Sequence, residues 1–479
     1  MTMDNRNRWI ALYVLCLGDL MIVLDGTIVN VALPSIRDDL GFSQTSLAWV
    51  VNAYLLTFGG FLLLGGRLGD LFGHRRLFLI GISIFTAASV ACGLATSQGM
   101  LVAARAVQGV GGAIVSAVAL SLLMLLFTET ADRAKAMGVF GFVLSGGGVI
   151  GVLAGGVLTD LLNWHWIFLI NVPVGIAVFV LSLRLLPAEH GPAASGRVDY
   201  AGAVTVTSAL ILAVYAIVNG NEEGWGSTQT LGMLAVSGVL LAVFVVIEAR
   251  VSSPLVPLGL FRNRNVSTAN VVGVLMAAGM FAYFFFSALY LQLVLEYTPL
   301  EVGLAYLPGT VIWGASSLFL SQGLVMRYGI KTPLLAGLSL MALALILLAR
   351  VPVDGNWAID ILPATIALGI GAGIAFNPIL LAAMSGVEPE QAGLASGVVN
   401  TSFMMGGAVG LAILASLAAS RSDGQLASGE GSLVALNSGY HLAFLVGAVF
   451  IVAASVGTAF LRIEAPAASA AEPAPVSSH

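Results

Sequence analysis

The stretch WIALYVLCLGDLMIVLDGTIVNVALP, residues 9–34, decides the class of this chain. It is long and apolar enough to cross a bilayer, for which about twenty residues suffice. Yet it carries two aspartates, Asp19 and Asp25. An acid at membrane depth is costly and marks a functional position, unless the segment is a soluble core helix or a cleaved leader.

Composition removes the first alternative. The chain is 58% hydrophobic and 9% charged, with a mean hydropathy of +1.00, whereas soluble domains are about a quarter charged. The second alternative fails on pattern. Arg6 and Arg8 precede the run as in a signal peptide, but the run continues through Asn30 to Pro34 without a short apolar core and a small-residue cleavage site. A retained membrane helix is expected.

Working outward, apolar runs recur as fourteen spans, and the fourth, 99–127, is the longest of them. A Pro/Gly/Ala/Ser connector at 187–197 and a Pro-containing basic segment at 254–265 bracket two spans, 200–219 and 229–249. Six spans stand on either side. The expected division is 1–198, 199–250 and 251–464, followed by a disordered Ala/Pro/Ser tail at 465–479. With the N-terminus inside, 15 of the 19 basic residues fall on the cytoplasmic side, from Arg6, Arg8 and Arg67 through to Arg462. Only Arg37, Arg350 and Arg421 fall outside, and Arg105 lies within a span. Cytoplasmic loops collect Lys and Arg, so both termini are expected in the cytoplasm.

The two sets of six retain a trace of repetition. Gly66, Asp70, Gly73 and Arg75 follow the second span, and Gly323, Arg327, Gly329 and Lys331 follow its counterpart. Each set has a glycine, a charge four residues on, a second glycine and then a base. Halves related in this way are how many secondary transporters build a site near the midplane.

Several other classes are excluded. Cys16 and Cys92 sit in apolar spans, and two thiols form neither a disulfide framework nor a metal cluster. His74, His165, His190, His441 and His479 have no metal-ligand spacing, and no Gly-x-x-x-x-Gly-Lys loop is present for a nucleotide. Neither an enzyme nor a bound cofactor is expected. A net charge of −5 without a basic face argues against nucleic acid. Two Lys against seventeen Arg, with abundant Ala and Gly, suggests a bacterial source.

Five motifs in order give the chain a resemblance: residues 24–34; the loop 66–76; Arg105 to Gly112; Trp164 to Pro173; and Ala392 to Gly397 with Asn400. Together they resemble the fourteen-span drug:proton antiporters, the QacA/EmrB-like branch of the major facilitator superfamily. The resemblance covers residues 10 to 462. It implies an all-α integral membrane protein of the major facilitator fold, with fourteen transmembrane helices as two six-helix bundles and an intervening pair. Protons would be the coupling ion, and the protein is expected to act as a monomer in the bacterial cell membrane, in contact with lipid. The loop residues Gly66, Arg67, Asp70, Gly73, Arg75 and Arg76 would stabilise the outward-facing state through charge pairs. Gly147, Gly151, Gly155 and Gly156 in the fifth span match the family's antiporter motif, except that Val152 stands where proline usually follows the middle glycine. Spaced four apart, Gly147, Gly151 and Gly155 also form a smooth packing face by themselves.

Arg105 and Asp25 lie at similar distances from the outer ends of their helices, about 9 Å deep at 1.5 Å per residue. Equal depth permits a pair, and a movement that changes their separation would load or release a proton. Asp19, six residues from Asp25, points roughly 120° away and is a second coupling candidate. Candidate cavity residues are Asn30, Trp49, Asn52, Tyr54, Gln108, Tyr283, Tyr290, Gln292, Asn377 and Asn400, although polar residues of this kind also serve as glue between helices. The second half has no acid well inside a span, so the expected cargo is apolar and neutral or singly charged. The reading is a proton-coupled exporter of drugs, antibiotics or natural products. The alternatives are a same-fold carrier of a lipid, siderophore or amino acid, run as a uniporter or symporter, and a non-transporting receptor or scaffold.

Overall fold

The computed structural model describes residues 5–127, 129–186 and 199–462. The connector expected at 187–197 and the tail at 465–479 lie outside them. Fourteen helices among the described residues are long and apolar enough to cross a membrane. In sequence order these are α1 Arg6–Leu40, α2 Ser46–Phe72, α3 His74–Gly93, α4 Gln98–Leu126, α5 Lys135–Leu161, α6 Trp166–Leu185 and α7 Tyr200–Glu223. They continue with α8 Thr228–Arg250, α9 Arg264–Leu293, α10 Pro299–Tyr328, α11 Lys331–Leu348, α12 Trp357–Met384, α13 Gly393–Ala427 and α14 Ser432–Thr458. A helix satisfies its backbone groups internally, as hydrocarbon requires.

The expected number of crossings is present, but the expected longest one is not. At 29 residues α4 is shorter than α1 and α13, which have 35 each. Hydropathy locates the crossing, whereas helical backbone continues into polar residues such as Arg37 to Asp39 at the end of α1.

Helices α1 to α6 pack on one another, as do α9 to α14, and the two sets meet mainly where α5 touches α10 and α2 touches α13. Between them stand α7 and α8, an antiparallel pair. Of the two, α7 makes the main contact with the bundles among the described residues, resting on α2 and α13. A Cβ on Gly60 of α2 would lie 2.0 Å from Thr207 Oγ1 of α7, so glycine permits that approach. The other inserted helix, α8, packs chiefly on α7 and is mostly exposed, as a lipid-facing helix can be.

The repeat has a backbone counterpart. Gly73 joins α2 to α3 at φ +91°, and Gly329 joins α10 to α11 at φ +73°. Each reversal uses a left-handed conformation that favours glycine. The second glycine of each copy is thus fixed by the turn.

At the start of the insert, Asp199 Oδ1 accepts the Gly202 N–H at 2.7 Å and caps α7. Glu248 near the end of α8 accepts the Val256 N–H on Oε2 at 3.0 Å. Both carboxyls are buried, and apart from a proton the two could share, Asp199 Oδ2 and Glu248 Oε1 meet no N–H or O–H donor among the described residues. These two oxygens lie 2.6 and 2.7 Å from the point where a Cβ on Gly202 would stand. Two acids therefore face each other across a glycine.

Candidate functional site

Asp25 on α1 and Arg105 on α4 are in contact, each 1% exposed. The Arg105 Nη1 group donates to Asp25 Oδ2 and, at 2.6 Å, to Gln108 Oε1, while Nε donates to the Val50 carbonyl at 3.0 Å. Gln108 Nε2 donates to Asp25 Oδ1 at 2.7 Å and to Ser89 Oγ on α3 at 2.8 Å. Asn171 Nδ2 on α6 reaches Asp25 Oδ1 at 3.3 Å. Every bond to Asp25 is accepted, which is the pattern of an ionised carboxylate. The guanidinium lies 4.3 Å over the Tyr54 ring and 5.6 Å from that of Phe168. Arg105 is therefore buried rather than extended toward the membrane interface.

A buried ion pair needs its remaining donors and lone pairs satisfied to offset desolvation, and four helices, α2, α3, α4 and α6, supply the partners. Ser89, Asn171 and Phe168 belong to this cluster without having been singled out as site residues. Their sequence signal is weak: Asn171 is part of a motif, and Ser89 is one of two serines in an otherwise largely apolar helix.

The other aspartate of the opening stretch makes a different contact. Asp19 is 3% exposed, and its Oδ1 accepts from Ser116 Oγ of α4 at 2.6 Å. Both acids thus face α4, at different levels.

Ser116 borders a cavity of about 680 Å³ between the halves. Its lining includes Gly66, Arg67 and Asp70 of α2, Ser116 and Ser121 of α4, Pro254 and Leu255, and Gly397 and Asn400 of α13. These residues are toward the ends of helices that lie on the face where α1 begins. The opposite face is closed. There a Cβ on Gly156 of α5 would stand 2.7 Å from the Pro299 carbonyl oxygen, and one on Gly303 3.0 Å from that of Val152. Gln292 Nε2 donates across the halves to the Val31 carbonyl at 2.8 Å.

The glycines of α5 divide their work. Gly147, Gly151 and Gly155 pack on α1 between Leu20 and Ile28, the segment that carries Asp25, while Gly156 packs on α10. Val152, buried at 1% exposure, takes part in the contact with α10.

The expected loop 66–76 is helical except at Gly73, and Asp70, near the end of α2, lies 4.0 Å from Arg67 and 3.3 Å from His74. The pairing of Asp70 with Arg75 and Arg76 is not observed. Arg75 Nη2 donates to the Leu183 carbonyl of α6 at 2.5 Å, and Arg76 is exposed. The turn at Gly73 sets the start of α3 so that His74, four residues on, faces back to Asp70.

The ten expected cavity positions fall in different places. Asn400 alone among them lines the larger cavity, and Gln108 and Tyr54 belong to the Asp25 cluster. Asn377 borders a second cavity, of about 610 Å³ between α10 and α12, and donates to Ser317 Oγ at 3.2 Å. Asn30 bonds the carbonyls of Gly26 and Thr27 in its own helix. Trp49 packs on Tyr215, Tyr283 donates to Thr365 at 3.3 Å, and Tyr290 donates to the Pro352 carbonyl at 2.6 Å. Gln292 spans the closed face, and Asn52 is fully buried with neither amide atom bonded among the described residues.

Comparison with known proteins gives a consistent family. The family model described as Major Facilitator Superfamily matches residues 15–411. Puromycin resistance protein pur8 of Streptomyces alboniger is 38% identical, over 95% of this chain and 91% of its own. Cephamycin export protein CmcT of Amycolatopsis lactamdurans is also 38% identical, over 94% and 92%. The tetracenomycin C resistance and export protein of Streptomyces glaucescens is 34% identical, over 86% and 76%. Among solved structures, a bacterial homolog of the human lysosomal transporter Spinster, inward-facing and unoccupied, superposes with a TM-score of 0.67 at 16% identity. It covers 96% of this chain and 98% of its own, and supports the fold alone.

Proposed function

The chain belongs to the Major Facilitator Superfamily, and we propose that it exports small apolar molecules, neutral or singly charged, in exchange for protons. The observation that carries this reading is the sealed Asp25–Arg105 pair, held by Gln108 and Asn171. A structural pair of this cost on the helix gripped by the glycines of α5 gains little unless its separation changes during the cycle. Asp25 takes up a proton when its contact with Arg105 opens, and gives it up when the contact re-forms.

With both termini cytoplasmic, the larger cavity opens to the cytoplasm and takes cargo from there. The Asp70 loop and the closed α5–α10 contact then act as the two gates. Relatives named for resistance to, or export of, puromycin, cephamycin and tetracenomycin C support an antibiotic or similar natural product as cargo. One charge crossing 100 mV supplies about 2.3 kcal/mol, enough for a gradient of about fifty-fold.

The test is reconstitution in proteoliposomes with an imposed pH gradient, with puromycin as the first cargo. Proton counterflow should accompany puromycin movement and disappear in Asp25→Asn. Transport without proton counterflow, or coupled transport that survives Asp25→Asn, would overturn the proposal.

A further inference from the structure

We propose that a proton route runs along one face of α4, from the Asp25–Arg105 pair to the larger cavity, through the Tyr54 hydroxyl, Asp19 and Ser116. It rests on the proton-coupling reading of Asp25 and assigns the residues that connect this sealed site to water.

The need for a route follows from burial. Asp25 and Arg105 are each 1% exposed, and along α4 the cavity wall begins only at Ser116. From Arg105 to Ser116 is about 16 Å at 1.5 Å per residue. A proton released by Asp25 in this conformation has that distance to cover.

The face of α4 supplies the positions. Arg105, Gln108, Gly112 and Ser116 follow one another at intervals of three or four residues, which places them on one side of the helix. Arg105 and Gln108 hold Asp25. A Cβ on Gly112 would lie 3.0 Å from the Tyr54 hydroxyl, so glycine leaves room for that group. One turn further, Ser116 Oγ bonds Asp19 at 2.6 Å. The row therefore alternates helix positions with groups able to carry a proton.

Two features suit Tyr54 and Asp19 to the task. The Tyr54 hydroxyl is buried with no hydrogen-bond partner among the described residues, a costly arrangement that a bridging water relieves. The charged groups acting on it include Asp25, Arg105 and Asp19. Around Asp19 the titratable groups are Cys16 on its own helix and Tyr54 on α2, with Ser116 on α4. On this part of α1, α3 presents Phe78 and Ile82 at Gly18, and α5 presents Gly147 at Leu20 and Val23. No Lys or Arg among the described residues forms an ion pair with Asp19. It can therefore gain and lose a proton without breaking a salt bridge.

The transfer balances. The O–H bond of the Asp25 carboxyl breaks as one forms on a bridging water, because Tyr54 Oη has no hydrogen-bond partner among the described residues; that water gives a proton to the Tyr54 oxygen, and Tyr54 gives its own toward Asp19. The gap is about one turn of α4, roughly 6 Å, which one water molecule bridges. The Asp19 carboxylate takes the proton and passes it by way of Ser116 to water in the cavity. One proton enters the row and one leaves. Asp25 ends ionised, and Tyr54, Asp19 and Ser116 return to their starting states.

The experiment needs no cargo. Infrared difference spectra of the full-length protein in liposomes are followed after a pH jump, and Asp25→Asn identifies the carboxyl band of Asp25. Tyr54→Phe keeps the ring beneath Arg105, and Asp19→Asn keeps the shape and can still accept from Ser116. In both, the Asp25 band should reach the wild-type final amplitude at its wild-type frequency, but about 100-fold more slowly, the low end of what a positioned proton carrier contributes. Unchanged rates in both variants would overturn the route. So would a change in amplitude or frequency along with rate, which would mark a structural role. If Asp25→Asn removes no titrating band from the spectra, the coupling reading itself falls, an outcome distinct from the other two.

Discussion

Replacing Gly151 with alanine should disturb the helix that carries Asp25, and the size of the effect follows from the contacts of α5 with α1. The new methyl carbon would stand 2.0 Å from Thr27 Oγ1, 3.1 Å from the Leu24 carbonyl oxygen and 3.3 Å from Leu24 Cα. Comfortable carbon contacts are about 3.5–4.0 Å. The Thr27 hydroxyl lies 3.1 Å from each of the Val23 and Leu24 carbonyls, so turning it aside loses those interactions. Overpacking of this kind costs about 1–3 kcal/mol. Thr27→Ala removes the 2.0 Å contact but leaves the two backbone contacts. Gly151→Ala with Thr27→Ala should therefore recover part of the loss, with a coupling energy of about 1 kcal/mol. The assay is denaturant unfolding of the four proteins of this cycle in detergent, with proteoliposome transport measured in parallel. Gly151→Ala as stable and as active as the parent would refute the packing account. Strictly additive losses would refute the role of Thr27.

Two further predictions concern buried charge. Arg105→Leu strands the Asp25 carboxylate and should cost about 3–5 kcal/mol; adding Asp25→Leu should restore much of the stability but no coupled transport, as unfolding and proton-flux measurements would show. Glu248→Gln should raise stability by about 1 kcal/mol, because the new amide can donate to Asp199 Oδ2 while its oxygen keeps the Val256 N–H; a lower melting temperature would count against the facing acids.

Much of this architecture was legible because hydrocarbon imposes one rule, a long apolar run for each crossing. The contact between Asp25 and Arg105 was legible for a related reason: two charges at equal depth in a short list of intramembrane charges have few other partners. What could not be read is how a polar side chain is spent. Asn30 bonds its own helix, Tyr290 bonds a loop carbonyl and Gln292 crosses between the halves, yet in the sequence all three are polar groups in apolar runs. Ser89 and Asn171 were missed for the same reason, since their roles depend on which helices become neighbours. The contact of Asp70 with His74 was not legible either, because one residue, Gly73, sets the direction of α3.

The antiparallel pair α7 and α8 has a consequence for parity. Every crossing reverses the sense of the chain, so a single inserted helix would turn the following six upside down relative to the first six. Two reversals cancel. A pair is thus the smallest addition that leaves the relative orientation of the halves unchanged, and its second member can face lipid on most sides because its indispensable act is to bring the chain back.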